Sequence, residues 1–207
     1  MRIVFISDTH NQHSRLTLPE GDMVIHAGDI SGNGSEREVA DFLKWFSALP
    51  HKHKVFIAGN HDFFIQENEG KFRSILPSNL IYLEDELVEI EGVKIYGSPW
   101  TPTFMDWAFM KDPGEEMKKK WDLIPDKVDI LLTHGPAYGT LDAIYSGLAV
   151  GCTELADAIQ RVKPKYFLFG HIHEGFGSRA KGATQYINGA ILDEKYILCN
   201  EPVVFDL

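Results

Sequence analysis

Five short blocks of metal-binding side chains stand at the ends of five apolar runs, and this constrains the fold more than any other feature of the chain. The runs are Ile3–Ile6, Met23–Ala27, Val55–Ala58, Ile130–Leu132 and Tyr166–Phe169. The blocks are Asp8-Thr9-His10, Gly28-Asp29, Gly59-Asn60-His61-Asp62, Thr133-His134-Gly135 and Gly170-His171-Ile172-His173. Short apolar runs without polar alternation mark strands covered on both faces. Loops leaving the carboxyl ends of such strands converge at one edge of an open α/β fold. Side chains far apart in sequence can therefore meet there. Taken singly, each residue would read as a capping aspartate or a satisfied core histidine. Five blocks in order, each just past a predicted strand, indicate a site.

Further apolar runs lie at Ile81–Leu83, Leu87–Ile90, Val93–Tyr96, Tyr186–Ile187 and Val203–Phe205. The stretch from 80 to 97 reads as a hairpin or meander. Ser35 with Glu38 forms a capping box, and Val39, Phe42, Leu43, Phe46 and Leu49 follow on one face until Pro50 ends the helix. A second helix is expected from Thr153 to Val162, with Leu155, Ile159 and Val162 inward. A weaker one covers Glu115 to Trp121. The expectation is one α/β domain over residues 1–207, with two sheets packed face to face and helices outside.

The chain carries a net charge of −10. A polyanion-binding surface needs the opposite sign, which argues against long nucleic acid as a partner. Its two cysteines, Cys152 and Cys199, suggest neither a disulfide framework nor a thiolate metal site, and read as partly buried thiols. No apolar stretch approaches the ~20 residues of a membrane helix. The N-terminus enters a strand at once, so the expectation is no signal peptide, no membrane and a cytoplasmic protein.

Asp8, His10, Asp29, Asn60, His134, His171 and His173 are the candidate metal ligands. Mixed carboxylate and imidazole donors suit Mn, Fe or Zn better than Mg or Ca. Two cations ~3.5–4 Å apart need a shared anion, and Asp29 is the natural bridge. Asp8 and His10 would hold one ion from one side, with Asn60 and His134 on the other. His171 and His173 are spaced so that, on extended backbone, both point the same way. Two metals sharing a hydroxide would supply a nucleophile at neutral pH. His61 follows Asn60 and so points elsewhere, towards the leaving-group oxygen, with Asp62 placed to orient its ring or raise its pKa. Asn60, His61 and Trp100 are the expected substrate contacts.

Other residues read less sharply. His26 lies inside a strand and is expected to pack in the core or behind the ligands. His51 and His53 look like solvated turn residues, and Lys118-Lys119-Lys120 like a solvated face. Trp100, Phe104, Trp107, Phe109 and Trp121 are either an aromatic lip that stacks a nucleobase or a cap packed on the sheets. The glycine-rich loop from Gly135 to Gly151 either rims the site or simply turns.

With these blocks in view, the chain resembles the calcineurin-like metallophosphoesterase superfamily, which carries the same five motifs in the same order. Within it, the MPPED-like phosphodiesterase subgroup is similar in Ile57-Ala58-Gly59-Asn60-His61, Gly97-Ser98-Pro99-Trp100-Thr101-Pro102, Trp121-Asp122-Leu123-Ile124-Pro125 and His173-Glu174-Gly175-Phe176-Gly177. The resemblance implies a four-layer α-β-β-α sandwich of two mixed sheets flanked by helices. It implies two divalent or trivalent metal ions, one on Asp8, His10, Asp29 and His173, the other on Asp29, Asn60, His134 and His171. His61 would be the leaving-group histidine. Some members of the subgroup have Gly at the position of His171; here the histidine is kept and a full site is expected. The superfamily's protein phosphatases usually place Arg where this chain has Ala58, which argues against that branch. The expected activity is hydrolysis of small phosphodiesters such as cyclic nucleotides through a metal-bridging hydroxide. The rivals are a broad phosphomonoesterase and a weakly active metal- or nucleotide-binding regulator. Homo-oligomerisation is left open.

Overall fold

In the computed structural model, which describes residues 1–207, every apolar run named above overlaps a strand. The elements in chain order are β1 (Arg2–Ile6), β2 (Met23–His26), α1 (Glu36–Ala48), β3 (His53–Phe56), α2 (Phe63–Glu67), α3 (Glu69–Ile75), β4 (Ile81–Tyr82), β5 (Glu86–Ile90), β6 (Val93–Ser98), β7 (Thr101–Pro102), β8 (Met110–Lys111), α4 (Glu115–Trp121), β9 (Ile130–Thr133), α5 (Thr153–Val162), β10 (Tyr166–Phe169), β11 (Gly177–Lys181), β12 (Thr184–Asn188) and β13 (Val203–Asp206). One sheet has the order β13-β1-β2-β3-β4, the other β11-β12-β10-β9-β6-β5. Strands β1 to β4 run parallel, with β13 antiparallel at the edge. In the second sheet β12, β10, β9 and β6 run parallel between antiparallel edges β11 and β5.

Alternation along the strands decides the layering, because successive side chains point to opposite faces. Ile3, Phe5, Met23, Ile25 and Val55 of the first sheet form one buried cluster with Ile95, Ile130, Leu132, Leu168 and Ile187 of the second. That is the layer between the sheets. The alternate residues face helices. Phe42 and Phe46 of α1 lie 5.7 and 5.9 Å from Phe56 of β3, ring to ring. Leu131, Phe167 and Phe169 share a cluster with Met117 and Trp121 of α4 and with Leu155, Ile159 and Val162 of α5. The result is the expected α-β-β-α sandwich. The capping box of α1 is present: Glu38 N donates to Ser35 Oγ at 3.3 Å and Ser35 N to Glu38 Oε2 at 3.1 Å.

The sequence did not announce α2, α3 or β11. The two helices have five and seven residues, too short for a period, and bury only Phe64, Ile65 and Phe72. β11 is an edge strand with no fully buried residue. His51 is not a solvated turn residue as expected: the Pro19–Gly21 segment lies against it, and its Nε2 meets Pro19 O at 3.0 Å. His53 does sit near the surface, paired with Glu91 at 3.0 Å. Lys120 departs from the solvated lysine run to pair with Asp85 at 2.7 Å. Cys152 is buried and Cys199 exposed. No helix is long and apolar enough to cross a membrane.

The parallel strands put the carboxyl ends of β1, β2, β3, β9 and β10 at one edge of the sandwich. The two sheets are tied there directly. Ser7 N donates to Gly189 O at 2.8 Å and Ile191 N to Ser7 O at 3.0 Å, joining the end of β1 to the segment that follows β12. The five blocks leave the strands at this seam.

Candidate metal centre

At four of the non-glycine block positions the backbone turns left-handed. Asp8, His10, Asp29 and His171 have φ of 55°, 38°, 55° and 67°. Such a conformation costs a residue with a Cβ about 1–2 kcal/mol, and a cluster of them is typical of a site that needs its side chains aimed. For His171 this overturns the extended backbone expected between it and His173. The strand has ended, His171 turns, and His173 starts a 3₁₀ turn over His173–Gly175. Glycines let the loops close up. A Cβ at Gly59 would lie 2.3 Å from Asp29 Oδ1, and one at Gly170 only 2.0 Å from Asp8 Oδ2.

The seven candidate ligands converge. Donor atoms of Asp8, His10 and His173 lie within 4.8 Å of one another, as do those of His10, Asp29 and His61, and those of Asp29, His134 and His171. Asp29 Oδ2 is 3.6 Å from His10 Nε2 and 3.4 Å from His134 Nε2. Asp8 Oδ1 is 3.6 Å from His173 Nε2. Asn60 Oδ1 is 2.8 Å from His134 Nε2. Main-chain carbonyls set the tautomers: His134 Nδ1 donates to Ala27 O and His173 Nδ1 to Asp193 O, both at 2.8 Å. Each ring thereby turns Nε2 towards the carboxylates. His26 lies behind them, buried, with Nε2 3.0 Å from Thr9 Oγ1.

The electrostatics fit a cation. Burial alone would lower the pKa of His134, but Asp29, and then Asp8, more than reverse this and raise it to about 9. For His173 burial is likewise outweighed by Asp8, giving about 9. The proton on His134 Nε2 thus sits among Asn60 Oδ1 and Asp29 Oδ2, where a cation that displaced it would meet the same three atoms. His10 and His171 are driven down to about 4, first by burial and despite the nearby aspartates. Both ring nitrogens of His10 are buried with no hydrogen-bond partner. A buried nitrogen left so is costly, and coordination would remove the cost.

Two expectations change. Asp62 does not orient His61. Its carboxylate accepts from Gly59 N at 2.8 Å, Ser31 N at 3.0 Å and Ser31 Oγ at 2.6 Å, pinning two site loops together. The His61 ring is set instead by donation from Nδ1 to Gly32 O at 2.8 Å, with its own backbone N–H on Asp29 Oδ1 at 2.8 Å. Trp100 is buried, its indole N–H bonded to Asp85 at 3.0 Å and Lys120 Nζ 4.1 Å from its ring centre. The aromatic on the site is Trp107, stacked on His61 at 4.4 Å and 26°. The aromatic segment is therefore divided: Trp100, Phe109 and Trp121 pack as a cap, and Trp107 lines the site. The glycine-rich loop meets the segment that carries His173: Tyr145 N donates at 3.0 Å to Glu174. Tyr196 and the carbonyls of Ala27, Gly32 and Asp193 escaped the sequence reading, and Trp107 was read there only as one of five aromatics that could form a lip or a cap. Carbonyls carry no side-chain signature, and neither aromatic stands in a ligand block.

An α-β-β-α sandwich with clustered carboxylates and imidazoles at its seam defines a metallohydrolase. The family description of calcineurin-like phosphoesterases matches residues 1–175. Metallophosphoesterase domain-containing protein 1 of Homo sapiens is 41% identical over 231 residues, covering 100% of this chain and 71% of that protein. A UPF0046 protein of Caenorhabditis elegans is 38% identical, covering 100% of this chain and 81% of its own length. Among solved structures, TT1561 of Thermus thermophilus superposes with a TM-score of 0.62 over 90% of this chain and 88% of its own, at 16% identity, and so shares the fold. The chain belongs to the calcineurin-like phosphoesterase family. It is a metal-dependent phosphoester hydrolase.

His171 tests the division of ligands. The His171 ring packs against His134 at 4.9 Å between ring centres and groups with Asp29, while its backbone N–H donates to Asp8 Oδ1 at 3.0 Å. His171→Gly is expected to weaken one metal by tenfold or more (on the order of 1.4 kcal/mol) and leave the other near wild type. Titration calorimetry with Mn should then resolve one tight and one weak site. Two wild-type affinities would remove His171 from the ligand set.

Proposed function

We propose that the chain is a dinuclear metal-dependent phosphodiesterase acting on small phosphodiesters, cyclic nucleotides among them. One observation carries the reading: a single oxygen of Asp29 lies within 3.6 Å of imidazole nitrogens from both halves of the cluster. One metal would be held by Asp8, His10, Asp29 and His173, the other by Asp29, Asn60, His134 and His171. Bound there, Mn, Fe or Zn ions would supply Lewis-acid charge for phosphoryl oxygens and a water acidic enough to react at neutral pH.

The chain's own residues supply the rest. Carbonyls behind His134 and His173 hold the rings so that little reorganisation follows binding. Asp62 fixes the loops bearing Asp29 and Asn60. His61 presents Nε2, the nitrogen not used by Gly32, to a leaving oxygen, and as an imidazolium, with Nδ1–H kept on Gly32 O, can donate its Nε2 proton there. The choice of diester over monoester rests on charge. The position before the Gly59 block is Ala58, fully buried and apolar, and the aspartates of the cluster pair only with histidines. A monoester brings one more negative charge and would gain most from an added guanidinium.

A panel against metal-reconstituted protein tests the reading. It sets bis-para-nitrophenyl phosphate and cyclic nucleotides against para-nitrophenyl phosphate and nucleoside monophosphates. Higher kcat/KM on the diesters is expected. Preference for the monoesters would establish the phosphomonoesterase instead.

A further inference from the structure

Tyr196 has no part in the chemistry above, yet the chain holds it in place at some cost. It lies in a turn beyond β12 with φ of 59°, a left-handed conformation disfavoured for any residue with a Cβ. Asp193 clamps the turn: its Oδ1 accepts from Lys195 N at 2.9 Å and Ile197 N at 2.8 Å, and its carbonyl accepts from Tyr196 N at 2.9 Å. Gln12 Nε2 donates to Tyr196 O at 3.0 Å. The Asp193 carbonyl also receives His173 Nδ1, so turn and candidate ligand form one unit. The outcome is a phenol ring edge-on to His10 at 4.8 Å and His173 at 5.4 Å, and 6.4 Å from His61. The residue stays 47% exposed. Strain kept at the open side of a site calls for a functional explanation.

Trp107 forms the second aromatic surface, flat against His61. Its position is fixed by Ala108 N, which donates to Asn60 O at 3.0 Å. Two apolar side chains near them in the chain are exposed, Ile197 beside Tyr196 at 55% and Phe104, three residues before Trp107, at 65%. Trp107 lies on the His61 side, where the leaving oxygen goes. Tyr196 lies nearer His10 and His173, on the side left to the other ester group. We propose that Tyr196 is a specificity-determining residue whose ring forms the wall for the retained ester group of a phosphodiester, favouring flat aryl or nucleobase groups over small alkyl groups. This rests on the diesterase reading.

Two substrates with the same leaving group separate the possibilities: bis-para-nitrophenyl phosphate and methyl para-nitrophenyl phosphate. Tyr196→Gly removes the ring and suits the left-handed backbone, so folding is preserved. It should raise KM for the bis-aryl ester about tenfold, as loss of one aromatic stack does, and leave the methyl ester and metal content unchanged. Tyr196→Phe keeps the ring and should match wild type. Equal losses on both diesters, a Phe variant as poor as the Gly variant, or a fall in metal content would each overturn the wall while leaving the diesterase reading intact. A wild-type protein active only on para-nitrophenyl phosphate would overturn both.

Discussion

Asp29→Asn is expected to lower turnover by at least a thousandfold and to prevent the protein from holding two metals at once. Asn is the right substitution because it keeps an oxygen for the His61 backbone N–H, which now donates to Asp29 Oδ1 at 2.8 Å, and replaces the other carboxylate oxygen by an uncharged NH2 of similar size. At 4 Å and an effective dielectric constant near 20, two unit charges repel by about 4 kcal/mol, and two dications by roughly four times that. A shared carboxylate offsets this repulsion; a neutral amide cannot. Even the unit-charge figure corresponds to about a thousandfold in rate or affinity. Elemental analysis after Mn loading should fall from two ions per chain to one or none. The metal-free protein gives a second readout. With the Asp29 charge gone, the burial that already opposes protonation of His134 is resisted mainly by Asp8, so its pKa should drop from about 9. Metal would then no longer compete with a firmly held proton at that ring near neutral pH, yet the bridge proposed for Asp29 would be missing and binding of a second ion should still be lost. Two ions retained with near-normal turnover would remove Asp29 from the centre.

Much of this architecture was legible because its signals are local and repeat. The strands announced themselves as uninterrupted apolar runs, and the ligand blocks followed them because parallel strands deliver their carboxyl ends to one edge. Helix α1 was readable from Ser35 and Glu38, whose two reciprocal hydrogen bonds need only a three-residue spacing. What escaped depends on contacts between distant segments. Asp62 sits beside His61 in sequence, and adjacency suggested a catalytic pair. The fold instead brings Ser31 to its carboxylate, and orientation of His61 passes to a glycine carbonyl. Trp100 and Trp107 look alike in a list of aromatics. Asp85 and Lys120 draw one into the cap, while the tie from Ala108 to Asn60 lays the other on the site. Tyr196 had no motif at all; only the clamp by Asp193 and its left-handed backbone make it visible.

His61 separates two ways in which the site can act on a leaving group. Its ring is boxed in, stacked on Trp107 at 4.4 Å and edge-on to His10 at 4.6 Å. Nδ1 is committed to Gly32 O, so Nε2 alone is available. A group held this rigidly is suited to proton donation, which needs a fixed line to the leaving oxygen. The size of its contribution depends on that oxygen. A para-nitrophenolate departs without help, whereas a ribose alkoxide must be protonated as it leaves. General acid catalysis is typically worth ~10²–10⁴-fold. His61→Ala should therefore reduce cyclic-nucleotide hydrolysis by about that factor and bis-para-nitrophenyl phosphate hydrolysis by far less, with metal content unchanged. The substitution keeps the backbone N–H on Asp29 and the Asp62 clamp, so the loop should stay in place. Equal losses on both substrates would assign His61 to binding. A fall in bound metal would assign it to the centre itself, where its ring nitrogen already lies within 4.8 Å of donors from His10 and Asp29.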